Sequence, residues 1–243
     1  MSQSLNTGHG INIRNFKKAI LLSENFGQVY APCNDHIKIP YMLQHWKYLM
    51  KVNEDYNIKL HHTRTKIKER ETIFRELNKK VTKVCAIAGS LNETAEFKFE
   101  VKKLADLIRG FKNKKNGLTA GDEKDWAYNL SYTGRTENFK NLIHLLYSSA
   151  LYKPNERLFT LQNLYAEHAS MNELNLQIDR LTAEVQRCRT RRNSALYDAE
   201  TGVLETMKAC RCYIKALFGT GSEEYKKISA LKFRVLPKKY QEV

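Results

Sequence analysis

The chain has 243 residues and a formal net charge of +15, with 41 lysines and arginines against 26 aspartates and glutamates. Only 4 prolines and 11 glycines interrupt it, and no alternating apolar run is long enough for a sheet, so the composition excludes an all-β fold. No apolar run approaches the ~20 residues that cross a bilayer. The 5 cysteines show no C-x-x-C spacing, so we expect a soluble, cytoplasmic protein without membrane contact in a reducing compartment.

Residues 1–11 are polar and contain glycine, which predicts a flexible N-terminus. A first helical half is predicted over residues 12–111. Its main feature is a long helix over 41–88, in which apolar residues recur at alternating steps of three and four, the spacing of a coiled-coil stripe. Three lysines, two asparagines and two glycines in 112–121 predict a linker.

A second helical half is predicted over residues 122–231, with a long helix over 155–218 and a basic tail over 232–243. The apolar residues in the first part of this helix form one stripe. Further along the helix, the apolar stripe is displaced by one residue. Because such a displacement rotates the buried face by about 100°, we expect the helix to kink or to change its partner between Arg192 and Gly202. The first stripe contains Met171, Leu174, Ile178, Leu181, Val185 and Cys188, and the second contains Leu196, Val203, Met207, Cys210, Ile214 and Leu217.

Together these segments predict an all-α fold, namely an elongated helical bundle in which two long coiled-coil-like helices pack antiparallel and short helices flank them. The two halves also resemble each other. Residues 15–17 read Asn-Phe-Lys, as do residues 138–140, and Tyr30 and Tyr152 each stand two residues before a proline. A tandem duplication explains this pattern, but so do the prolines and glycines that helix ends generally share, and both explanations stay open.

The C-terminal two-fifths of the chain carries a series of short motifs. They are Leu151-Tyr152-Lys153-Pro154-Asn155-Glu156, Arg192-Asn193, Leu196-Tyr197, Thr201-Gly202-Val203, Tyr213-Ile214-Lys215, Phe218-Gly219 and Ser222-Glu223-Glu224-Tyr225-Lys226. This series resembles a family of bacterial all-helical proteins that has no assigned activity. Members of that family usually have a proline where Glu223 stands here. The resemblance implies a bacterial helical protein and no catalytic residue.

Four arginines of the second long helix, Arg180, Arg187, Arg189 and Arg191, form the most concentrated basic feature of the sequence. Arg187 and Arg191 lie one helical turn apart, so they can hold successive phosphates of a nucleic acid. The alternative is a solvated face in which Glu184 pairs with both Arg180 and Arg187. We favour the solvated face, because such charge rows are common on coiled-coil helices.

Two further arginines, Arg70 and Arg192, fall on the apolar stripes themselves. Each therefore needs a carboxylate partner or a path to solvent. We interpret them as devices that fix the register of the helices, and an anion pocket is the alternative.

No catalytic residue, metal ligand or cofactor is predicted. His61 and His62 are adjacent, so a helix points them about 100° apart and they are poorly placed to share a metal. The sequence contains no H-E-x-x-H, Walker or G-x-G-x-x-G motif. Because no nucleophile, base and oxyanion groups converge, we expect neither an enzyme nor a small-molecule substrate.

These observations predict a non-catalytic structural or scaffolding module that contacts itself or another helical protein. The alternative is sequence-independent nucleic-acid binding through basic helical surfaces, because a charge of +15 attracts phosphates. Such binding would be to the backbone, since no aromatic residues interleave with exposed basic ones. The predicted helix-stripe interface consists of Leu174, Ile178, Leu181, Val185, Met207 and Ile214.

Overall fold

A computed structural model describes residues 8–111 and 127–235. Within these ranges the chain forms helices and no strand, so the predicted all-α fold is confirmed. The predicted linker at 112–121 lies outside the described residues, as do residues 1–7 and 236–243. The helices are α1 (Gly8–Glu24), α2 (Ile39–Ser90), α3 (Ala95–Arg109), α4 (Tyr132–Ser148), α5 (Leu161–Tyr197), α6 (Val203–Phe218) and α7 (Glu223–Ser229), and 3₁₀ turns lie at Gly27–Val29, Asp35–Ile37 and Arg157–Phe159.

Contacts divide the chain into two compact units. Unit 1 consists of Met1–His61 and Thr182–Val243, and unit 2 consists of His62–Leu181. Each unit therefore combines residues from both predicted halves, because α2 and α5 each contribute one part to unit 1 and the other part to unit 2.

Unit 1 has one apolar core, to which α1, α2, α5, α6 and α7 contribute. Within this unit α2 and α5 run antiparallel, because Lys59 pairs with Glu184 whereas His45, earlier on α2, meets the carbonyl of Ala195, later on α5. Residues 231–235 return along α1. The side chain of Asn12 donates to the carbonyl oxygen of Arg234 and accepts from its N–H, both at 2.8 Å. The core includes Phe16, Ile20, Met42, Leu49, Leu196, Val203, Met207, Cys210, Ile214 and Ile228.

Unit 2 has its own core, built from α2, α3, α4 and α5. Here too α2 and α5 run antiparallel. Arg70 contacts Asn175, while Lys80, later on α2, forms an ion pair with Glu167, earlier on α5. The core includes Phe74, Leu77, Val81, Val84, Val101, Ile108, Phe139, Leu142, Ile143, Leu164 and Met171.

The second long helix differs from the prediction, whereas the first is confirmed as α2 with two more residues at each end. A single helix over 155–218 is wrong, because α5 starts only at Leu161 and ends at Tyr197. The carboxylate of Asp198 accepts hydrogen bonds from the backbone N–H groups of Glu200 and Thr201 at 3.0 and 2.8 Å. These local bonds replace the helical pattern, and α6 then starts at Val203 with Gly202 at its N-cap.

The repeat suggested by the sequence is visible in matching hydrogen bonds. The hydroxyl of Tyr30 donates to the carbonyl oxygen of Ile37 at 2.8 Å, and the hydroxyl of Tyr152 donates to that of Phe159 at 3.0 Å. Each bond spans seven residues and ends in a 3₁₀ turn. Shared prolines and glycines do not require such a bond, so it supports the duplication. The matching buried residues are Phe16 and Phe139, Met42 and Leu164, and Leu49 and Met171.

The helix interruption coincides with an insertion in the second repeat. Phe74 matches Leu196, which lies 122 positions later. After Phe74, four buried residues of α2 follow one another at steps of four, three and four residues, and four buried residues of α6 do the same. Each residue of α6 lies 126 positions after its match on α2. The second repeat therefore carries four extra residues between Leu196 and Val203. The matching sets are Leu77, Val81, Val84 and Ala88 on α2, and Val203, Met207, Cys210 and Ile214 on α6.

Candidate functional site

The last turns of α5 in unit 1 carry three exposed arginines, Arg187, Arg189 and Arg191, which we call the arginine cluster. None of the three forms an ion pair with any residue in the described ranges. Arg180 is also exposed but belongs to unit 2. Three of the four arginines predicted to contact anions therefore lie in one unit without a counter-charge.

The acidic partner predicted for these arginines is engaged elsewhere. Glu184 forms an ion pair with Lys59 of α2, with 2.6 Å between Lys59 Nζ and Glu184 Oε2. The sequence predicted that Glu184 pairs with Arg180 and Arg187, whereas the ion pair that the structure gives it is with Lys59. The physical reason is that the antiparallel packing of α2 brings a lysine to Glu184, which sequence spacing along α5 alone does not reveal.

The arginine cluster has two faces. Val185, Arg192 and Leu196 are buried and mark the inward side of α5. At about 100° per residue, Arg187 and Arg191 lie about 160° and 120° around the helix from Val185 in one direction, and Arg189 lies about 40° from it in the other direction. Arg187 and Arg191 are thus placed to contact the same bound anionic chain, whereas Arg189 points away from them.

A groove of about 620 Å³ lies beside Arg191 in unit 1. Its first wall belongs to α2, its second to α5, and Thr201 of the connecting turn completes it. Of its tyrosines, Tyr48 is 50% exposed, so much of its ring is available to a ligand. The walls consist of Tyr41, Gln44, His45 and Tyr48 from α2, and Thr190, Arg191, Ser194 and Ala195 from α5.

One hydrogen bond fixes the two walls of this groove relative to each other. Nε2 of His45 lies 3.0 Å from the carbonyl oxygen of Ala195, so the imidazole donates its N–H there. Burial lowers the pKa of His45 below its ordinary value, which favours the neutral ring. The rings of Tyr41 and His45 also make an edge contact, with 6.2 Å between their centroids. At one end of the groove, Tyr41 and His45 are therefore held in place beside the polar side chains of α5.

No sequence pattern marks the tyrosines of the groove, and the reason is physical. Spacing along the chain relates residues of one helix, but Tyr48 belongs to α2 and Arg191 to α5. The two residues are more than a hundred positions apart in the sequence, so only the fold brings them together. The prediction concerned aromatic and basic residues that interleave along the sequence, whereas this groove combines a tyrosine and an arginine from two different helices.

The two arginines on the apolar stripes, Arg70 and Arg192, each stack on a tyrosine ring, which the sequence did not predict. The guanidinium carbon of Arg70 lies 3.9 Å from the ring centroid of Tyr132, and that of Arg192 lies 4.2 Å from the ring of Tyr56. Neither arginine pairs with a carboxylate among the described residues. A tyrosine face therefore takes the place of the expected acidic partner.

The residues predicted as a helix-stripe interface lie inside the two units. Five of the six are at most 7% exposed, and Leu181 is half-buried. Met207 and Ile214, the two members that come from the second stripe, pack in the core of unit 1. The buried five are Leu174, Ile178, Val185, Met207 and Ile214.

In the described part of the chain, no three His, Cys, Asp or Glu side chains are grouped as metal ligands. In the same ranges, no helix is both long and apolar enough to pass through a bilayer. The fold and the groove thus define an all-α protein with a basic, tyrosine-containing surface on one unit. Comparison with models of protein families, with curated proteins and with solved structures found no match.

Proposed function

We propose that this protein is a non-catalytic nucleic-acid-binding protein whose arginine cluster contacts the phosphates of the bound strand. The observation that supports this proposal is the exposure of Arg187, Arg189 and Arg191 without an ion pair in the described ranges. An unpaired guanidinium can form two parallel hydrogen bonds with a phosphate. The net charge of +15 adds long-range attraction for a polyanion.

The test is a titration of a fluorescently labelled oligonucleotide, followed by anisotropy at several salt concentrations. If Arg187 and Arg191 replace counterions along one strand, the logarithm of the binding constant should fall with the logarithm of salt at a slope of about −1.4 for a single strand and about −1.8 for a duplex. Replacing Arg187, Arg189 and Arg191 together by glutamate should abolish most of the binding.

A control variant separates this site from the overall charge. Lys83, Lys102 and Lys153 are exposed residues of unit 2, and replacing them by glutamate changes the net charge by the same amount. This control should retain most of the affinity. Equal losses in both variants would show that only net charge matters, and the absence of any salt-dependent binding would refute the proposal.

A second candidate function is a scaffolding role in contact with another helical protein or a second copy of the chain. Exposed apolar side chains at the connection between α4 and α5 favour it. Tyr147 is 71% exposed, Leu151 is 49% exposed and Leu158 is 61% exposed. Light scattering after size exclusion tests it. A defined oligomer that serine substitutions at Tyr147 and Leu158 convert to a monomer would support this function, and a concentration-independent monomer would oppose self-assembly.

We also propose a reducing, cytoplasmic location for the protein. The five cysteines are free thiols in the structure, and Cys33 and Cys212 are exposed. Exposed free thiols persist best where the surroundings are reducing.

A further inference from the structure

The residues that line the groove of unit 1 are replaced by residues of other types at the matching positions of unit 2. Residue 167, which matches His45, is a glutamate that forms an ion pair with Lys80. The residue that matches Tyr48 is Ser170, and the residue that matches Arg191 is Glu69. One repeat therefore has His45, Tyr48 and Arg191 where the other has a serine and two glutamates, and each of these glutamates forms an ion pair with a lysine.

The inserted residues are part of this difference. The four extra residues of the second repeat fall where α5 ends, and Thr201 of the resulting turn lines the groove. In the first repeat α2 continues through the matching region without interruption. Because the turn interrupts a helix that is otherwise continuous in this position, it opens space beside Tyr41 and His45. A shared structural role of the two repeats does not explain why the second repeat alone carries the inserted turn that lines the groove.

The groove offers the chemistry that an unpaired nucleotide needs. The half-exposed ring of Tyr48 gives a flat apolar face on which a base can stack. Arg191 stands at the same groove and can hold the adjoining phosphate, while the hydroxyls of Thr190 and Ser194 can bond to a sugar or to a base edge. A duplex hides its base faces in the stack, so it can offer its phosphates to this surface but not a base to Tyr48.

We propose that the groove accepts a base of single-stranded nucleic acid, with its ring against Tyr48 and its phosphate on Arg191. This inference rests on the proposed function and specifies its partner as a single strand. Arg187 lies one turn before Arg191 on the same flank of α5, so it is placed for the next phosphate of the same strand.

The test compares a labelled oligothymidine with a duplex of equal length, by anisotropy and with the full-length protein. Wild type should bind the single strand more tightly. Tyr48→Leu should weaken single-strand binding roughly tenfold, since base stacking on an aromatic ring has about this effect, and it should leave duplex binding unchanged. Tyr48→Phe keeps the ring and should bind like wild type.

The outcomes distinguish this inference from the proposed function. If both nucleic acids bind equally with a steep salt dependence, and Tyr48→Leu changes neither affinity, the arginine cluster binds backbone alone and the groove inference is overturned. If neither nucleic acid binds, both ideas fail. Displacement of the oligothymidine by an equal molar concentration of thymidine monophosphate would make a free nucleotide the occupant, and this too would overturn the inference. Thermal melting of Tyr48→Leu confirms that the variant is folded.

Discussion

The guanidinium of Arg192 lies over the ring of Tyr56, with 4.2 Å between the guanidinium carbon and the ring centroid. Arg192 is only 6% exposed, and burial lowers the pKa of its guanidinium. Within the described ranges its side chain donates to Asn193 Oδ1 at 3.3 Å, and its Nε has no hydrogen-bond partner. A buried cation held by one tyrosine and one amide oxygen retains much of its desolvation cost.

This arrangement predicts that the charge of Arg192 adds little to stability, whereas its volume matters. Arg192→Met keeps the length of the side chain and removes the desolvated charge, so the free energy of unfolding should change by less than about 1 kcal/mol. Arg192→Ala leaves a cavity and should destabilise the fold by about 2–4 kcal/mol. Urea denaturation measures both variants. A loss in Arg192→Met as large as that in Arg192→Ala would show that the stacked guanidinium itself is required.

The matching tyrosines Tyr30 and Tyr152 predict a pair of related mutational effects. Removing either hydroxyl leaves a carbonyl oxygen without its donor, so Tyr30→Phe and Tyr152→Phe should each lower the free energy of unfolding by about 1–2 kcal/mol. Tyr30→Phe also removes a contact of the hydroxyl with Cys210 Sγ at 3.5 Å, so its effect should be the larger of the two. The two sites lie in different units and share no partner, so the effects should add in the double variant. Urea denaturation of the two single variants and the double variant checks this. A neutral effect at one site alone would show that the two bonds are not equivalent.

Local patterns in the sequence predicted the helices well. The stripe spacing over 41–88 gave α2 within two residues, because one buried face repeats along a helix whatever its partner is. The displaced stripe also located the interruption of the second long helix between Arg192 and Gly202. It did not show whether the helix kinks or ends, since the deciding contact is the hydrogen bonding of the Asp198 carboxylate.

The candidate site was harder to predict than the helices, because its parts are distant in sequence. The spacing of Arg187 and Arg191 identified one side of it. The tyrosine side comes from α2, and the ion pair that removes Glu184 from the arginines comes from Lys59 of the same helix. Periodicity tells which face of a helix is buried, but it does not tell which residue of another helix lies opposite. That pairing depends on tertiary packing, which one sequence does not encode locally.

A substitution at Gly202 tests the turn between α5 and α6. Its backbone has φ −65°, which any residue can adopt, so the glycine is required by space instead. A Cβ at this position would lie 2.5 Å from the carbonyl oxygen of Asp198 and 2.6 Å from its backbone nitrogen. Gly202→Ala should therefore destabilise the protein by about 2–3 kcal/mol, as measured by urea denaturation.

Gly89 supplies the matched control for this variant. It lies in the last turn of α2, and a Cβ there would have no atom within 4 Å. Gly89→Ala should be neutral or should stabilise by about 0.5–1 kcal/mol, because alanine is the better helix former. Equal stabilities for the two alanine variants would mean that the turn at 198–202 relaxes freely, in conflict with a fixed groove wall.

The lowered pKa of His9 predicts that the free energy of unfolding depends on pH. Its Nδ1 lies 2.9 Å from the hydroxyl of Tyr197. Burial, with a smaller contribution from the positive charge of Arg192, lowers the pKa of His9 from 6.5 to about 4. The unfolded chain therefore takes up a proton at a higher pH than the folded chain does. The stabilising effect of the neutral ring is complete above pH 6.5 and declines as the pH falls towards 4, by about 1–2 kcal/mol once solvent screening of the partly exposed ring is counted.

The measurement is the free energy of unfolding between pH 7 and pH 4 for wild type and for His9→Gln, which keeps a polar side chain beside Tyr197. The variant should lose less stability over this range than wild type does. Burial also lowers the pKa of His45, so a weaker dependence should remain in the variant. His62→Gln replaces an exposed histidine and should follow the wild-type profile. Parallel profiles for His9→Gln and wild type would show that His9 takes up its proton in the folded chain as readily as in the unfolded one.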